Sequence, residues 1–143
     1  MASITVWDGA NSVGGAKILL QDEGLILWLD IGNNLSRQMS YYEEYMKPQT
    51  TRGLYELLMM GLLPPVQGIY NDNRFIDEYL FTEWQAELDE VHGVLLSHAH
   101  LDHAGCIQYL RAEVPLYCST ESAFLLKGTA GVRARRLWHD RCS

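Results

Sequence analysis

The chain has 143 residues, 48% of them apolar, and a formal net charge of −7. That length fits one domain at most, with enough apolar content to bury a core. No window of about 18 apolar residues occurs, which excludes a membrane-spanning helix, and the acidic balance argues against a broad nucleic-acid surface. It leaves room for a substrate whose phosphate is held by metals. The charge is uneven: residues 1–126 carry 6 basic and 17 acidic side chains (−11), and residues 127–143 carry 5 and 1 (+4). Cys106, Cys118 and Cys142 are odd in number and lack metal-type spacing. They read as free or buried thiols in a reducing cytoplasm. The opening M-A-S-I-T-V-W-D has no basic region followed by an apolar run, so no signal peptide is read.

In chain order, residues 4–7 read as a short strand, and 8–15 (D-G-A-N-S-V-G-G) as turn chemistry with glycines suited to φ > 0. Residues 17–20 form a second strand, 22–24 a tight turn and 25–29 a third strand. The continuous apolar character of that third strand predicts burial on both faces. Gly14-Gly15 has no phosphate-loop pattern around it and reads as a plain β-turn. Residues 36–46 predict a helix, with Met39, Tyr42 and Met46 at helical spacing and Pro48 ending it. The Tyr41, Tyr42 and Tyr45 cluster reads as packing. A second helix is expected over 54–63, stopped by Gly61 and Pro64-Pro65, then a loop over 68–75. A third helix is expected over 76–88, its acids forming a solvated face.

The informative stretch is 94–105, V-L-L-S-H-A-H-L-D-H-A-G. An apolar strand runs into His98, His100, Asp102 and His103, and Ala104-Gly105 leads into a helix continuing over 106–111. Residues two apart in an extended or turning segment project to the same side, so His98, His100 and Asp102 can converge on one cleft. His103, at the start of the helix, approaches from another direction. Imidazole and carboxylate suit zinc, and also iron or manganese. Four such groups are too many for one open catalytic site, which implies two metals sharing the segment. A polar loop with scattered histidines would not explain the apolar strand before the cluster and the glycine-containing helix start after it. Further on, 114–118 (V-P-L-Y-C) reads as a strand and 119–121 as a helix N-terminus leading to 123–126. From Lys127 no period is legible. His92 and His139 read as ordinary surface histidines.

The stretch 98–103 resembles the H-x-H-x-D-H signature of the metallo-β-lactamase superfamily. The resemblance implies that His98 and His100 bind a first metal and that Asp102 and His103 bind a second. It also implies that Asp102 takes part in proton transfer and that a hydroxide bridging two zinc ions is the nucleophile. The hairpin and its L-D-I-G exit resemble the first motif of the same superfamily. By that match Asp30 holds the ligand loop rather than a metal. S-V-G-G-A-K resembles the hairpin of the ribonuclease J and β-CASP branch, where a Gly-Gly-Asn-Lys-like run is common; Ala16 departs from it.

The implied fold is α/β (α+β): the N-terminal half of a four-layer αββα sandwich, spanning residues 1–126. Residues 33–90 would be a helical insertion, and 127–143 a basic tail, non-native or disordered. The second half of such a domain brings a third histidine, a bridging aspartate and a last histidine. None is assigned here: His139 follows His103 by 36 residues with no strand read before it, and Asp140 is merely its neighbour. The implied activity is dinuclear-zinc hydrolysis of a phosphodiester, with RNA as substrate. The alternatives are a thioester or lactone hydrolase of the same superfamily, or an inactive fragment. No membrane partner is expected. Half a sandwich would leave an apolar sheet open to association through its exposed edge.

Overall fold

The computed structural model describes residues 1–42, 54–71, 84–88, 90–128 and 137–138. The expected strands open the chain. β1 (Ser3–Asp8), β2 (Lys17–Asp22) and β3 (Leu25–Ile31) pair antiparallel in succession. Glu23 (φ +44) and Gly24 (φ +91) turn β2 into β3 with both central residues left-handed, the geometry whose twist suits a two-residue hairpin. Then come α1 (Leu35–Tyr41), α2 (Tyr55–Met59), β4 (Val66–Gln67), β5 (Ala86–Glu87) and β6 (Gly93–Leu95). They are followed by α3 (Leu101–Ala104), a 3-10 turn (Ile107–Tyr109), β7 (Leu116–Tyr117), α4 (Thr120–Gly128) and β8 (Leu137–Trp138).

The described strands form a mixed sheet in the order β1-β2-β3-β6-β7-β8, parallel from β3 onward, and β4-β5 is a separate parallel pair. Register assigns the sheet two unlike faces. Leu19, Trp28, Val94 and Leu116 are partners across neighbouring strands, and all four are buried. They join one core with Leu54, Leu57, Leu58, Leu62 and Leu63 around α2 and with Ile107 and Leu110 beyond α3. The opposite face pairs Ile4 with Leu20, Val6 with Ile18, Leu20 with Leu27, Ile18 with Leu29, and Leu29 with Leu95. It is apolar across four strands, yet Ile4, Val6 and Leu95 are 66%, 51% and 41% exposed. Full burial of such a side chain contributes about 1.5–3 kcal/mol, so this face forgoes stabilisation that a covering layer would supply. A mixed α/β fold with one sheet face clothed and the other open agrees with the half-sandwich expectation. No helix among the described residues is long and apolar enough to cross a membrane.

Several elements depart from the sequence reading. β3 is not buried on both faces: Trp28 and Ile31 are buried, while Leu27 and Leu29 lie on the open face. The helix expected over 36–46 ends at Tyr41, because Tyr42 is extended while its N–H still reaches the Gln38 carbonyl. Its Met39 is 75% exposed and no α1 residue is buried. The helix is defined at its start instead, where Asn34 accepts from the Arg37 N–H. Residues 43–46, including Tyr45, lie outside the described residues. Within 54–63 only Tyr55–Met59 is helical; Gly61 (φ +63) turns the chain as expected. The described part of 76–88 is not helical, since Ala86–Glu87 pairs with Val66–Gln67; residues 76–83 lie outside the described residues.

The helix expected through 106–111 is interrupted for a specific reason. A continuing α-helix would send the Cys106 N–H to the Asp102 carbonyl. That carbonyl instead accepts from Gly15 N–H (2.9 Å), and Cys106 N–H donates to the Ile31 carbonyl (3.0 Å). The chain tightens into the 3-10 turn. Finally, no strand was read before His139, but Leu137–Trp138 adds to the sheet beside β7. His139 and Asp140 lie outside the described residues.

Candidate metal centre

The end of β6 delivers the histidines. His98 and His100 precede α3 in non-helical backbone, with His100 extended (φ −69, ψ 150) as the residue before the first turn. Its carbonyl accepts from His103 N–H and Ala104 N–H (3.0 and 2.8 Å). Asp102 and His103 therefore sit on the helix, and the cluster folds back on itself. One ligand atom each of His98, His100 and Asp102 come within 4.8 Å of one another. His103 stands at their side. Its Nε2 is 3.4 Å from Asp102 Oδ2, and its ring centroid lies 4.1 Å from that of His98. All four residues singled out in the sequence are thus brought together, three as one candidate ligand group and the fourth facing Asp102.

Asp30 organises the cluster from β3. The β2–β3 register slips between Lys17 and Ile18, leaving Asp30 as a bulged residue at φ +57. Aspartate tolerates that left-handed geometry better than most residues, and a bulge re-aims the side chain it carries. Here Oδ1 accepts from Ser97 N–H (2.7 Å), while Oδ2 accepts from Ser97 Oγ (2.8 Å) and lies 2.8 Å from His103 Nδ1. A carboxylate only accepts, so His103 Nδ1 carries a proton toward Asp30, and Nε2 faces Asp102 Oδ2.

The same bookkeeping fixes His98. Ser97 has one hydroxyl proton, directed to Asp30. Its contact with His98 Nδ1 at 3.0 Å then runs from the imidazole N–H to Oγ, which leaves His98 Nε2 free to ligate. Backing a histidine with a carboxylate or hydroxyl on its far nitrogen fixes its tautomer and raises its basicity as a ligand. Ser97 was not singled out in the sequence. The only signal for it was a hydroxyl immediately before the first histidine, and its meaning depends on the Asp30 bulge 67 residues away.

Glycines close the back of the site. Gly14 and Gly15 have φ +78 and +79, as the turn reading requires. A Cβ on Gly14 would fall 2.5 Å from Asp102 Cβ and 3.0 Å from its Oδ2. A Cβ on Gly32 would fall 1.6 Å from the Asp102 carbonyl oxygen. The β1–β2 loop and the β3 exit therefore grip the peptide of Asp102 from two sides. Cys106 is buried behind this loop; burial pushes its thiol up to about 11, Lys17 pulling it down and Asp8 up. It stays protonated at neutral pH, donates to the Gly32 carbonyl, and is no ligand. His92 serves the sheet: its Nδ1 accepts from Ile26 N–H, and its backbone N–H donates to the Ile26 carbonyl.

The donor set of imidazoles and a carboxylate, with ring nitrogens held toward one another, fits a borderline divalent metal. Asp30→Asn tests the orienting role. Asparagine keeps the left-handed backbone but has one acceptor oxygen where three donors converge. Metal affinity is expected to fall about 10–100-fold with an unchanged circular dichroism spectrum; unchanged affinity in a chelator competition would refute the role.

Comparison with known proteins gives the following. The metallo-beta-lactamase superfamily model matches residues 71–136, which include the whole cluster from His98 to His103. Among solved structures, a protein of unknown function from Enterococcus faecalis V583 is similar with a TM-score of 0.69 and 24% sequence identity. The match covers 98% of this chain and 33% of that one, so the chain spans a third of that protein's length. At this identity the likeness speaks for the fold alone. No curated protein matches the chain.

Proposed function

We propose that this chain is the metal-holding half of a dinuclear-zinc hydrolase that cleaves phosphodiesters, RNA foremost. The observation that carries the reading is the convergence of His98, His100 and Asp102 into one ligand group, with His103 Nε2 facing Asp102. The 3.4 Å approach of His103 Nε2 to Asp102 Oδ2 supports Asp102 and His103 as the donors of one ion, with His98 and His100 serving the other. Zinc suits these donors best, with iron or manganese as the other candidates. When bound, such a metal pair supplies Lewis acidity that activates water and neutralises charge developing on a phosphoryl group.

The chain's own residues do the positioning. Asp30 and Ser97 hold the rings of His103 and His98 at Nδ1. Asp102, half-buried beside His103, is the group placed to hold a proton during turnover. The S-V-G-G-A-K hairpin supports the ribonuclease J and β-CASP branch, and thereby RNA, over a thioester or lactone substrate. Two donors per metal leave each ion short of ligands. The remaining donors are proposed to come from a layer that covers the open sheet face, and without it the chain would be an inactive fragment. The free Cys106 and Cys118 suit a reducing cytoplasm.

The test is elemental mass spectrometry of the chain dialysed against zinc, iron or manganese, with hydrolysis of single-stranded RNA followed in parallel. With each ion short of donors, sub-stoichiometric zinc retention, lost in His98→Ala, is the expected result. A chain that takes up none of the three metals even at saturating metal overturns the reading. Metal retention with thioester but not RNA cleavage moves the substrate to the runner-up class.

A further inference from the structure

Behind the metal centre lies a buried charged network around Lys17 and Asp8. Lys17 is 1% exposed although it carries an ammonium group. Its Nζ donates to Asp8 Oδ2 (3.2 Å) and to the Gly15 carbonyl (3.2 Å). Asp8 is itself nearly enclosed and also accepts from Gly9 N–H (2.9 Å) and from Asn34 Nδ2 (3.0 and 3.2 Å). Arg37 stands 3.7 Å from it. Asn34 further donates to Ser12 Oγ, whose proton goes to the Gly14 carbonyl. The Lys17 and Asp8 contacts end on the 9–15 loop or on the residues that frame it, while Arg37 also donates to the Gly61 carbonyl (2.7 Å).

Burying an ion pair is an uneconomical way to stabilise a fold, because desolvation offsets most of the attraction. A hydrophobic pair at positions 8 and 17 would hold β1 to β2 as well. What such a pair could not do is hold a backbone carbonyl at a fixed point. Gly15 joins the network to the candidate ligand loop. Its carbonyl is held by Lys17, and its N–H donates to the Asp102 carbonyl. One residue separates the buried ammonium from the backbone of a candidate ligand: the carbonyl of Gly15 belongs to the peptide with Ala16 and its N–H to the peptide with Gly14, so the coupling passes through the φ and ψ of Gly15. Gly15 is also confined on its other side, since a Cβ there would meet Asn34 Cβ at 2.7 Å.

Resting on the metal-centre reading, we propose that Lys17 is a positioning residue for Asp102. Its ammonium, anchored on Asp8, fixes the Gly15 carbonyl; with Gly15 confined against Asn34, this fixes the Gly15 N–H as well, and through it the height of the α3 turn and the place of the Asp102 carboxylate in the ligand group. The Gly-Gly of the hairpin is thereby part of the metal centre's frame.

The experiment has two readouts on the full 143-residue chain. The first is metal-free: hydrogen exchange of the Gly15 amide by NMR. The second is a cobalt(II) titration followed by visible absorption, which reports affinity and ligand geometry together. Lys17→Met is expected to lose most of the Gly15 amide protection, to bind cobalt about 10–100-fold more weakly, and to shift the absorption band. If Lys17→Met fails to fold, the pair Asp8→Asn/Lys17→Met, which leaves no charge unpaired, takes the same measurements. Wild-type exchange at Gly15 together with wild-type affinity and spectrum in the folded variant overturns the proposal. A wild-type chain that binds no cobalt refutes the metal-centre reading, and with it any effect of Lys17 on ligation; the exchange data then show separately whether Lys17 holds the Gly15 peptide.

Discussion

Asp102→Ala is expected to remove metal retention and leave the fold standing. The carboxylate is one of the three groups whose ligand atoms lie within 4.8 Å of one another, and it is the group that faces His103 Nε2. Its loss strips the proposed second ion of half its donors from this segment. The effect should exceed the roughly 10–100-fold loss typical of residues that merely orient ligands. The fold should survive because the packing at position 102 does not depend on the carboxylate. Gly14 sits against Asp102 Cβ, and Gly15 bonds the backbone carbonyl; alanine keeps both. Zinc competition against a chromogenic chelator reads the first effect, and a thermal melt reads the second. Wild-type zinc affinity in this variant would remove Asp102 from the centre.

Gly32→Ala is the converse, a change that takes away no donor and yet should damage the site. The added methyl would lie 1.6 Å from the Asp102 carbonyl oxygen and 2.2 Å from its carbonyl carbon. Neither is the end of a flexible side chain, so the α3 turn must move as a body. Overpacking of this kind costs about 3 kcal/mol or more. For a domain of this size that lowers the melting temperature by roughly 10 °C. Because Asp102 and His103 ride on the displaced turn, metal affinity should fall as well. Gly24→Ala is the control. Its Cβ would meet nothing within 4 Å, and only the φ of +91 resists it; strain of that sort costs about 1–2 kcal/mol and lies away from the centre. Equal melting temperatures for Gly32→Ala and wild type would show that the β3 exit does not clamp the loop.

The two variants separate what could be read along the chain from what could not. His98, His100, Asp102 and His103 were legible because chemistry and spacing are both local: the donors fall within six positions at the end of an apolar strand. The β1–β3 meander was legible for the same reason, with short apolar runs punctuated by Asp-Glu-Gly and Gly-Gly. Misreadings came where a local pattern was outweighed by partners far away. Residues 106–111 have helical character, but the Asp102 carbonyl and the Cys106 N–H are both taken by the β1–β2 loop and β3. Residues 86–87 form a strand because Val66–Gln67 lies beside them. Leu137–Trp138 is too short to display an alternation at all. The apolar run of β3 was read correctly as hydrophobic but not as two unlike faces, since which side a helix covers is not written within the strand.

Local order along the chain was enough to place four metal-type donors on one turn and to mark the Asp30 strand exit. It was silent on what makes them a centre. The rings of His98 and His103 are held at Nδ1 by Ser97 and Asp30 respectively, and the position of Asp102 by Gly14, Gly15 and Gly32. The Gly15 carbonyl is held by Lys17, itself paired with Asp8. Each of these pairings, apart from Ser97 with its neighbour His98 and Lys17 with Gly15 and Asp8, joins segments far apart in the chain. A hydrogen bond or a steric limit between such segments exists only once folding brings them within a few ångströms, so ligand identity is a property of sequence and ligand geometry a property of the fold.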